Sequence, residues 1–469
     1  MKDIKRKLNR HTFFNFPAIE QDLEQMAAKG WMLTKADSNL WQYNRIEPQK
    51  LHFSITFFSK ASAFDPEPSE NQRALWDFCE RTGWKLAAQT AQMQIFYNEQ
   101  ESPLPLETDP VVQIENIYRS ARKSFLLQWG AIFAISLLWF GLIIMRILND
   151  PINVFTSSAN AFTVICWVAI AAMSISELAA YFLWYRKAKK AAYDGYLVLP
   201  KEPLIIQYIA LVVVLVAFLF YSMTIFSSYA FRYVFLGIAQ VSIVFATVRF
   251  VMVTLKRKKI AAKVNMVLTI GTSFLVSFAL MGLITHVVLS DTFGWTAISE
   301  DAAGTYEHDG RTWEFYDHDL PLYVEDMVDI DSDGYSYRWT GEESLFLGQY
   351  TARQRGRYDA ENYKELPDLE YTVTYVKVPV LYEMCKQELI WDDDDTDDDS
   401  IPEGFKNIYE PQDAALWGAD EVYQLCAQDT GPMSWYLVCY DDHIVEITFF
   451  GWDPTPEQIS IAAKKLSQL

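Results

Sequence analysis

Five long apolar runs occupy the middle of the chain, and short polar segments separate them. Their bounds are 124–145, 161–185, 204–226, 233–255 and 264–289. Because about 20 apolar residues in a helix suffice to cross the hydrocarbon core of a bilayer, each run predicts a membrane span. The pattern therefore predicts a five-helix transmembrane bundle over residues 124–289. The second run is the least apolar, since it contains Ser174, Ser176 and Glu177.

Lysine and arginine are distributed unevenly over the segments that flank these runs. The segments before the first run, after the second and after the fourth carry thirteen basic residues, whereas the opposite segments carry only Arg146 and Arg232. Basic flanking segments resist translocation across a membrane. We therefore expect the N-terminus to lie in the cytosol. An odd number of spans then places the region after the last run outside.

Residues 1–100 alternate between helical and strand spacing. Ile19, Leu23 and Met26 recur at helical intervals, and Gly30 follows where the end of a helix requires a positive φ. Strand-like alternation follows in segments 40–45, 51–58, 85–89 and 92–97. The order is helix, strand, strand, strand, and then helix, strand, strand. It predicts one cytosolic α+β domain.

An internal repeat with an offset of 53 residues runs through this domain. It is visible in "LEQMAAKGWML" and "WDFCERTGWKL", where Gly30 and Trp31 correspond to Gly83 and Trp84. The two tryptophans can be core residues that hold each helix to its sheet, which we favour, or a pair that stacks on a ligand. Residues 101–123 are expected to form a linker and a juxtamembrane helix.

Residues 290–469 contain many short strand patterns rich in tyrosine and tryptophan, and one well-marked helix at the end. Thr455 is expected at the N-cap, with Pro456 in the first turn and Gln458 completing a capping box. Residues 422–440 read as a β-hairpin with its turn near residues 429–432. The region is therefore predicted to be a strand-rich, external α+β domain.

Charge separates this last region from the rest of the chain. The whole protein has a net charge of −20, and residues 290–469 alone contain 40 acidic and 11 basic residues. Seven aspartates lie within residues 391–400. Because like charges repel and cannot form a core, this segment is expected to be a solvated loop. Weak binding of divalent cations through diffuse charge is the functional alternative.

Several segments resemble a known family. They are the doubled Gly-Trp unit before the spans, "LPLYVEDM", "DGYSYRWTGEESLF", and the ending from "WGADEVYQL" to "IVEITFFGWDPTPEQ". Together they resemble an uncharacterised family of bacterial multi-span membrane proteins, known only as a domain of unknown function. Members are often encoded beside PadR-type transcriptional repressors. The resemblance implies the bacterial plasma membrane and a PadR-type regulator or another membrane protein as partner. It supplies no catalytic residue.

The sequence contains no recognisable catalytic motif. A phosphate-binding glycine loop, a serine nucleophile elbow, a zinc-binding His-Glu helix and a Cys-x-x-Cys pair are all absent. We therefore predict neither an enzyme nor a cofactor. Cys426 and Cys439 flank the predicted hairpin and either pair or remain buried thiols, of which we favour the thiols. His308 and His318 lack a third ligand at fixed spacing, so turn and surface positions are favoured over a metal pair.

Residues 329–334 match the opening of a calcium-binding loop. Asp329, Asp331 and Asp333 occupy ligand positions, and the required glycine follows. The twelfth position, however, is Thr340 where a bidentate glutamate is needed, and the flanking sequence predicts a strand where an EF-hand has helices. A hairpin turn at Asp-Gly is the favoured interpretation. The three aspartates remain weak candidates for a metal site.

Two charged residues lie inside the predicted spans. Glu177 is in the second span and Arg249 in the fourth, both near the cytosolic ends of their helices. Charged groups inside a membrane usually face a protein interior and find a partner. The two residues can form an ion pair, or each can extend separately to the interface, and the sequence does not decide between these alternatives.

These features favour a membrane-anchored sensory or regulatory protein. In this hypothesis the external acidic domain meets a signal, and the cytosolic domain contacts another protein rather than nucleic acid. A transporter or an accessory subunit of one is the alternative. It has less support because the five runs show no inverted repeat and contain few polar groups.

Overall fold

The computed structural model describes residues 3–9, 11–36, 40–201, 203–224, 228–289, 301–330, 332–360, 363–392, 407–427 and 431–469. Side chains are described for these residues except at 220, 223–224, 228–235, 287–289 and 391–392. The chain divides into two compact units. Unit 1 comprises Met1–Trp139 and Ile165–Ser290, and unit 2 comprises Phe140–Val164 and Asp291–Leu469.

Unit 1 begins with two groups of elements in the same order. The first group is β1 (Ile4–Leu8), α1 (Phe16–Ala28), β2 (Trp31–Ala36) and β3 (Leu40–Arg45), and the second is β4 (His52–Phe57), α2 (Glu70–Arg81), β5 (Lys85–Gln89) and β6 (Met93–Asn98). Each group forms an antiparallel sheet with its last strand in the middle, in the orders β1-β3-β2 and β4-β6-β5. The α+β class expected for this region is confirmed.

The strand order differs from the predicted one in two places. β1 is absent from the predicted order, and β4, which the pattern assigns to the first group, pairs with β6 of the second. β1 has the sequence IKRKL, lies at the edge of its sheet and is mostly exposed. Because an edge strand tolerates charged side chains, its sequence shows no hydrophobic alternation.

Both helices of this region end at a glycine with positive φ, as the sequence predicts. The φ angles are +79° at Gly30 and +88° at Gly83. A Cβ atom at Gly30 would also lie 2.9 Å from the backbone oxygen of Ile46. Backbone conformation and packing therefore both require glycine at this position.

A series of helices follows. They are α3 (Pro110–Lys123), α4 (Phe125–Asn149), α5 (Pro151–Thr156), α6 (Ser158–Tyr193), α7 (Leu204–Thr224), α8 (Ser228–Arg257) and α9 (Ala262–Leu289). Of these, α4 and α6 to α9 are apolar. Within the described residues, four stretches are long and apolar enough to cross a membrane: Pro110–Asn149, Ser158–Tyr193, Leu236–Arg257 and Ala262–His286. The apolar stretch Leu204–Leu219, in the third predicted span, is shorter. The four stretches are consistent with a multi-pass membrane protein.

Unit 2 is built around a seven-stranded antiparallel sheet. Its strands are β9 (Tyr335–Glu343), β10 (Leu347–Gly356), β11 (Asp368–Val376), β12 (Asn407–Gln412), β13 (Glu421–Ala427), β14 (Gly431–Cys439) and β15 (His443–Phe450), in the order β12-β13-β14-β15-β11-β10-β9. A separate hairpin consists of β7 (Gly304–His308) and β8 (Arg311–Phe315). The expected strand-rich character of this region is confirmed.

Helices cover both faces of the large sheet. Helix α11 (Pro456–Leu466) packs in one cluster with Val445 and Ile447 of β15. Helix α10 (Tyr382–Asp392) and the short α5 pack in a second cluster with Ile444 of the same strand. Because neighbouring side chains of a strand point to opposite faces, the two clusters lie on opposite sides of the sheet. The predicted capping box of α11 is present, with Thr455 and Gln458 bonded reciprocally.

Candidate functional site

A polar cavity lies within unit 1, where the N-terminal domain meets the apolar helices. Its volume is about 950 Å³. The helices contribute Glu177 of α6, Gln207 of α7 and Arg249 of α8, and the N-terminal domain contributes Trp41 of β3 and Gln92 of the loop before β6. The cavity is therefore enclosed by residues from distant parts of the sequence.

Glu177 is the most deeply buried charged residue of this cavity, with 2 % of its surface exposed. The side-chain amide of Gln207 donates a hydrogen bond to its carboxylate. A buried carboxylate is costly without hydrogen bonds, so this contact stabilises Glu177 in its position. Sequence analysis missed Gln207, although an amide inside the apolar sequence of α7 is the signal that could have identified it.

Arg249 is half-buried and lines the same cavity as Glu177. The structure therefore brings the two charged residues that the sequence singles out to one site. Their direct ion pairing stays a prediction. The neighbouring Ser174 and Ser176 donate their hydroxyls to backbone oxygens three residues earlier in α6, at 2.8 Å each. Hydrogen bonds within the helix thus satisfy these two residues.

An aromatic cluster joins the N-terminal domain to α6. Phe14 and Tyr181 are both fully buried, and their ring centres are 5.3 Å apart. Trp184 stacks on Phe14 at 5.2 Å, and Phe125 at the start of α4 lies 5.5 Å from Phe14. Aromatic pairs at these distances add packing energy to the area that they bury. The hydrophobic core of the N-terminal domain thus continues into α6 without a break.

The start of α9 and the connection that precedes it also contact the N-terminal domain. Asn265 is fully buried and donates its side-chain amide to the backbone oxygens of Phe64 and Met252, both at 3.3 Å. Lys259 contacts Glu67, a lining residue of the cavity, at 2.6 Å. This contact lowers the pKa of the Glu67 carboxyl. The domain is therefore attached to the apolar helices at two places, through α6 and through this connection.

The N-terminal domain contains two carboxyl groups with raised pKa values. Burial raises the pKa of Glu20 to about 8, although a hydrogen bond from the Ile55 N–H at 2.7 Å acts in the opposite direction. Burial raises the pKa of Glu107 to about 7. Sequence analysis missed both residues, because Glu20 stands among charged positions of an amphipathic helix and Glu107 stands in a linker. Only the tertiary structure buries them.

In unit 2, the short helix α5 is bonded to the domain that follows the last apolar helix. The Ile152 N–H donates to the Glu388 carboxylate at 2.8 Å. The Ser158 hydroxyl donates to the Glu343 backbone oxygen at 2.9 Å, and the Ser344 hydroxyl donates to the Phe155 backbone oxygen. The Ile152 side chain, 4 % exposed, belongs to the cluster of α10 and the large sheet. Helix α5 is thus an integral part of this fold.

The aspartates of the candidate calcium loop do not lie between two helices. Asp329 and Asp333 are exposed, and Asp331 lies outside the described residues. A 3₁₀ helix (Val324–Asp326) precedes the loop, and strand β9 follows it. Asp333 and Gly334 form a turn, but the expected β-hairpin is wrong, because a 3₁₀ helix is the element directly before the turn and β9 pairs with β10. Among the described residues, no group of three His, Cys, Asp or Glu side chains is placed to hold a metal ion.

The other candidate residues occupy separate positions. Cys426 and Cys439 are free thiols and face different partners in the hairpin, namely Pro432 and Glu421. His318 contacts backbone atoms of Trp339 through Nδ1. Trp84 is 3 % exposed and donates to the Leu104 backbone oxygen at 2.9 Å, whereas Trp31 is half-buried beneath Lys5 and Arg45. Residues 393–400 of the acidic segment and the turn at 428–430 lie outside the described residues.

Residues 15–129 match a model of the family described as "Protein of unknown function (DUF2812)". This segment extends from the start of α1 into the first turns of α4, and it includes both β-sheets of unit 1 except for strand β1. The match supports the resemblance to an uncharacterised domain family and assigns no activity. Comparison with curated proteins gave no match. Comparison with solved structures also gave no match.

Proposed function

We propose that this protein is a membrane-anchored sensory or regulatory protein in which α4, α5 and α6 couple an external domain to a cytosolic one. It acts through protein contacts and not as an enzyme. The observation that carries the proposal is that this helical hairpin is fixed at both ends. Helix α5 is bonded to the C-terminal domain through Ile152, and α6 enters the core of the N-terminal domain through Tyr181 and Trp184.

Chain connectivity makes this hairpin a route for a signal. Helix α4 starts at Phe125, in the core of the N-terminal domain, and α6 returns to that core after α5. A ligand that changes the docking of α5 acts on the ends of two continuous helices. Helices shift as rigid elements, so a small displacement at α5 reaches the aromatic cluster around Phe14.

The proposal includes five spans, with α7 as the third, and a cytosolic N-terminal domain. The 21 residues of α7 extend over about 32 Å at 1.5 Å per residue, enough to cross the hydrocarbon core of a bilayer. The basic flanks favour a C-terminal domain outside the membrane, and the family resemblance implies that the membrane is the bacterial plasma membrane. The equal element order of the two groups in the N-terminal domain supports an internal duplication, with β4 as the counterpart of β1.

The cytosolic partner in this proposal is a protein, either a PadR-type regulator, by family resemblance, or another membrane protein. Direct binding to nucleic acid is not part of it, because residues 1–123 contain as many acidic as basic residues. Binding to the DNA backbone requires a basic surface.

Hydrogen exchange of the full-length protein in lipid nanodiscs tests the coupling. Glu388→Ala removes the acceptor of the Ile152 N–H and loosens α5. We expect faster exchange in residues 11–28, around Phe14, although these residues belong to unit 1 and Glu388 belongs to unit 2. Unchanged exchange there, with faster exchange in residues 151–156, would refute the coupling.

Glu365→Ala is the matched control. It removes the same charge from the same domain at an exposed position. We expect no change in residues 11–28. An equal change in both variants would mean that net charge, and not the docking of α5, alters the N-terminal domain.

A further inference from the structure

A second cavity lies within unit 2, between α5 and the large sheet. Its volume is about 570 Å³. Helix α5 and the residues beside it form one wall, strands β9 and β10 form another, and Glu388 and Leu389 of α10 complete the lining. The cavity therefore borders the segment that the proposed function treats as the input of the signal.

The lining of this cavity is acidic and rich in hydrogen-bonding groups. Asp150, Glu342 and Glu388 supply three carboxylates, and the described lining contains no lysine, arginine or histidine. The remaining polar groups are hydroxyls and amides, from Asn153, Thr156, Thr340, Gln349 and Thr351. A carboxylate offers about four lone-pair sites. The cap bond from the Asn153 N–H to Asp150 at 3.1 Å therefore leaves that carboxylate able to accept others.

An independent observation points to a ligand at this place. Thr156 lines the cavity and is 5 % exposed, and its buried hydroxyl has no hydrogen-bond partner within the described part of the chain. A buried hydroxyl without a hydrogen bond destabilises the folded protein, and a ligand atom that bonds to this hydroxyl removes the cost. The acidic residues give the cavity its negative charge. The hydroxyl of Thr156 marks the position at which a ligand atom can supply the missing hydrogen bond.

We propose that this cavity is a binding site for a small cation that carries two or more ammonium groups. Ammonium groups donate to carboxylates and hydroxyls, which are the groups that the cavity presents. A metal ion fits less well, because no three His, Cys, Asp or Glu side chains among the described residues are placed around one point. An elongated cation reaches carboxylates that lie on different walls.

This inference rests on the proposed function and names the class of its signal. Glu388 lines the cavity and also accepts the hydrogen bond from the Ile152 N–H. A bound ammonium group and the backbone of α5 therefore act on the same carboxylate. A ligand in the cavity therefore changes the strength of the hydrogen bond that docks α5 to α10. Helices α4 and α6, which flank α5, transmit this change.

Calorimetric titration of the purified full-length protein in detergent with spermidine tests the site. Glu342→Gln removes one carboxylate of the cavity, and we expect the Kd for spermidine to rise at least about tenfold, as for a lost charged hydrogen bond. Thr156→Val should raise the Kd by a smaller factor. It should not lower the melting temperature, since a methyl group replaces an unbonded buried hydroxyl. Absence of binding to the unsubstituted protein would overturn the proposal.

Glu365→Gln is the control for diffuse attraction by this acidic domain. Glu365 is exposed and does not line the cavity, and the substitution removes the same charge. We expect an unchanged Kd. An equal loss of affinity in Glu365→Gln and Glu342→Gln would overturn the proposal, because binding would then depend on net charge.

The same samples separate this inference from the coupling. If spermidine binds at the cavity, but neither spermidine nor Glu388→Ala changes the hydrogen exchange of residues 11–28, the site stands and the proposed function fails. If spermidine does not bind, but Glu388→Ala alters that exchange, the cation site is wrong and the coupling stands.

Discussion

The backbone N–H of Ile152 donates to the carboxylate of Glu388 at 2.8 Å, although 236 positions separate the two residues in the sequence. The contact joins the short connection between two apolar helices to a helix of the C-terminal domain. Ile152 also places its side chain in the core beneath the large sheet. The connection is therefore part of the hydrophobic core of unit 2 and not a surface loop.

We predict that Ile152→Ala destabilises unit 2. The side chain is 4 % exposed, and truncation of a buried isoleucine lowers the free energy of unfolding by about 2 to 5 kcal/mol. Hydrogen exchange of the strands in the large sheet at increasing urea concentration measures the loss. Val380→Ala serves as the control, because Val380 is 83 % exposed and its truncation should change stability by less than about 0.5 kcal/mol. Equal stability of both variants would mean that α5 is not docked.

We predict that Glu177 and Arg249 are energetically coupled. Glu177→Gln and Arg249→Gln should each lower the stability of the protein extracted from membranes, and the double variant should lose clearly less than the sum. Each single substitution leaves the remaining charged side chain within a predicted span without a residue of opposite charge beside it, which lowers stability. The double substitution removes both charges and avoids this cost. Thermal unfolding in one detergent measures the cycle. Additivity within about 0.5 kcal/mol would exclude an ion pair.

We predict that the two ends of the chain lie on opposite sides of the membrane. The basic residues in the flanking segments favour a cytosolic N-terminal domain. A reporter enzyme that is active only outside the membrane should therefore be active when fused after Leu469 and inactive when fused after Glu107. The reverse pattern would invert the orientation, and activity at both positions would require an even number of spans.

We predict that calcium binds the full-length protein no more tightly than in the millimolar range. The loop at 329–334 lacks the carboxylate at its twelfth position, where Thr340 stands, and it is followed by a strand instead of a helix. Calorimetry after removal of bound calcium measures the affinity. A micromolar site that Asp331→Ala abolishes would contradict this prediction.

We predict that Glu20 makes stability depend on pH. Its pKa rises from the ordinary 4.5 to about 8 in the folded protein. Between these values the folded protein keeps a proton that the unfolded chain has released, so stability is lost as the pH rises from about 4.5 to about 8. Glu20→Gln keeps an acceptor for the Ile55 N–H and removes the charge. We expect it to be more stable than the unsubstituted protein by about 1 to 3 kcal/mol near pH 9, and by less near pH 5.

Thermal unfolding at both pH values measures this effect. Glu47→Gln is the control in the same domain, because Glu47 is exposed and water solvates its charge. A pH dependence that Glu20→Gln leaves unchanged would contradict the assignment to Glu20.

The elements that were predictable from the sequence are those with a strong local signal. The apolar runs predict α4 and α6 to α9 to within several residues, because a membrane-length helix needs its apolar side chains in one continuous segment. The capping box at Thr455 fixes the start of α11, and Gly30 and Gly83 mark the ends of α1 and α2. Each of these signals acts over a few neighbouring residues.

The features that were missed depend on distant parts of the chain. β4 pairs with β6, about 40 positions away, and local alternation does not indicate which of two sheets a strand joins. The docking of α5 and the burial of Thr156 depend on residues more than 180 positions later. The Glu177 site was only half predictable, since its charge is conspicuous in an apolar run, but no local signal indicates that Gln207 of another helix is its partner.

The burial of Phe14 against Tyr181 and Trp184 has a consequence for biosynthesis. The ribosome completes the first hundred residues long before it reaches α6, and domains ordinarily fold as they emerge. In this protein the newly made N-terminal segment has an uncovered aromatic surface until the later helix has been synthesised. Final folding of this domain therefore follows the synthesis of α6, and a fragment that ends before α6 would expose this aromatic surface to the solvent.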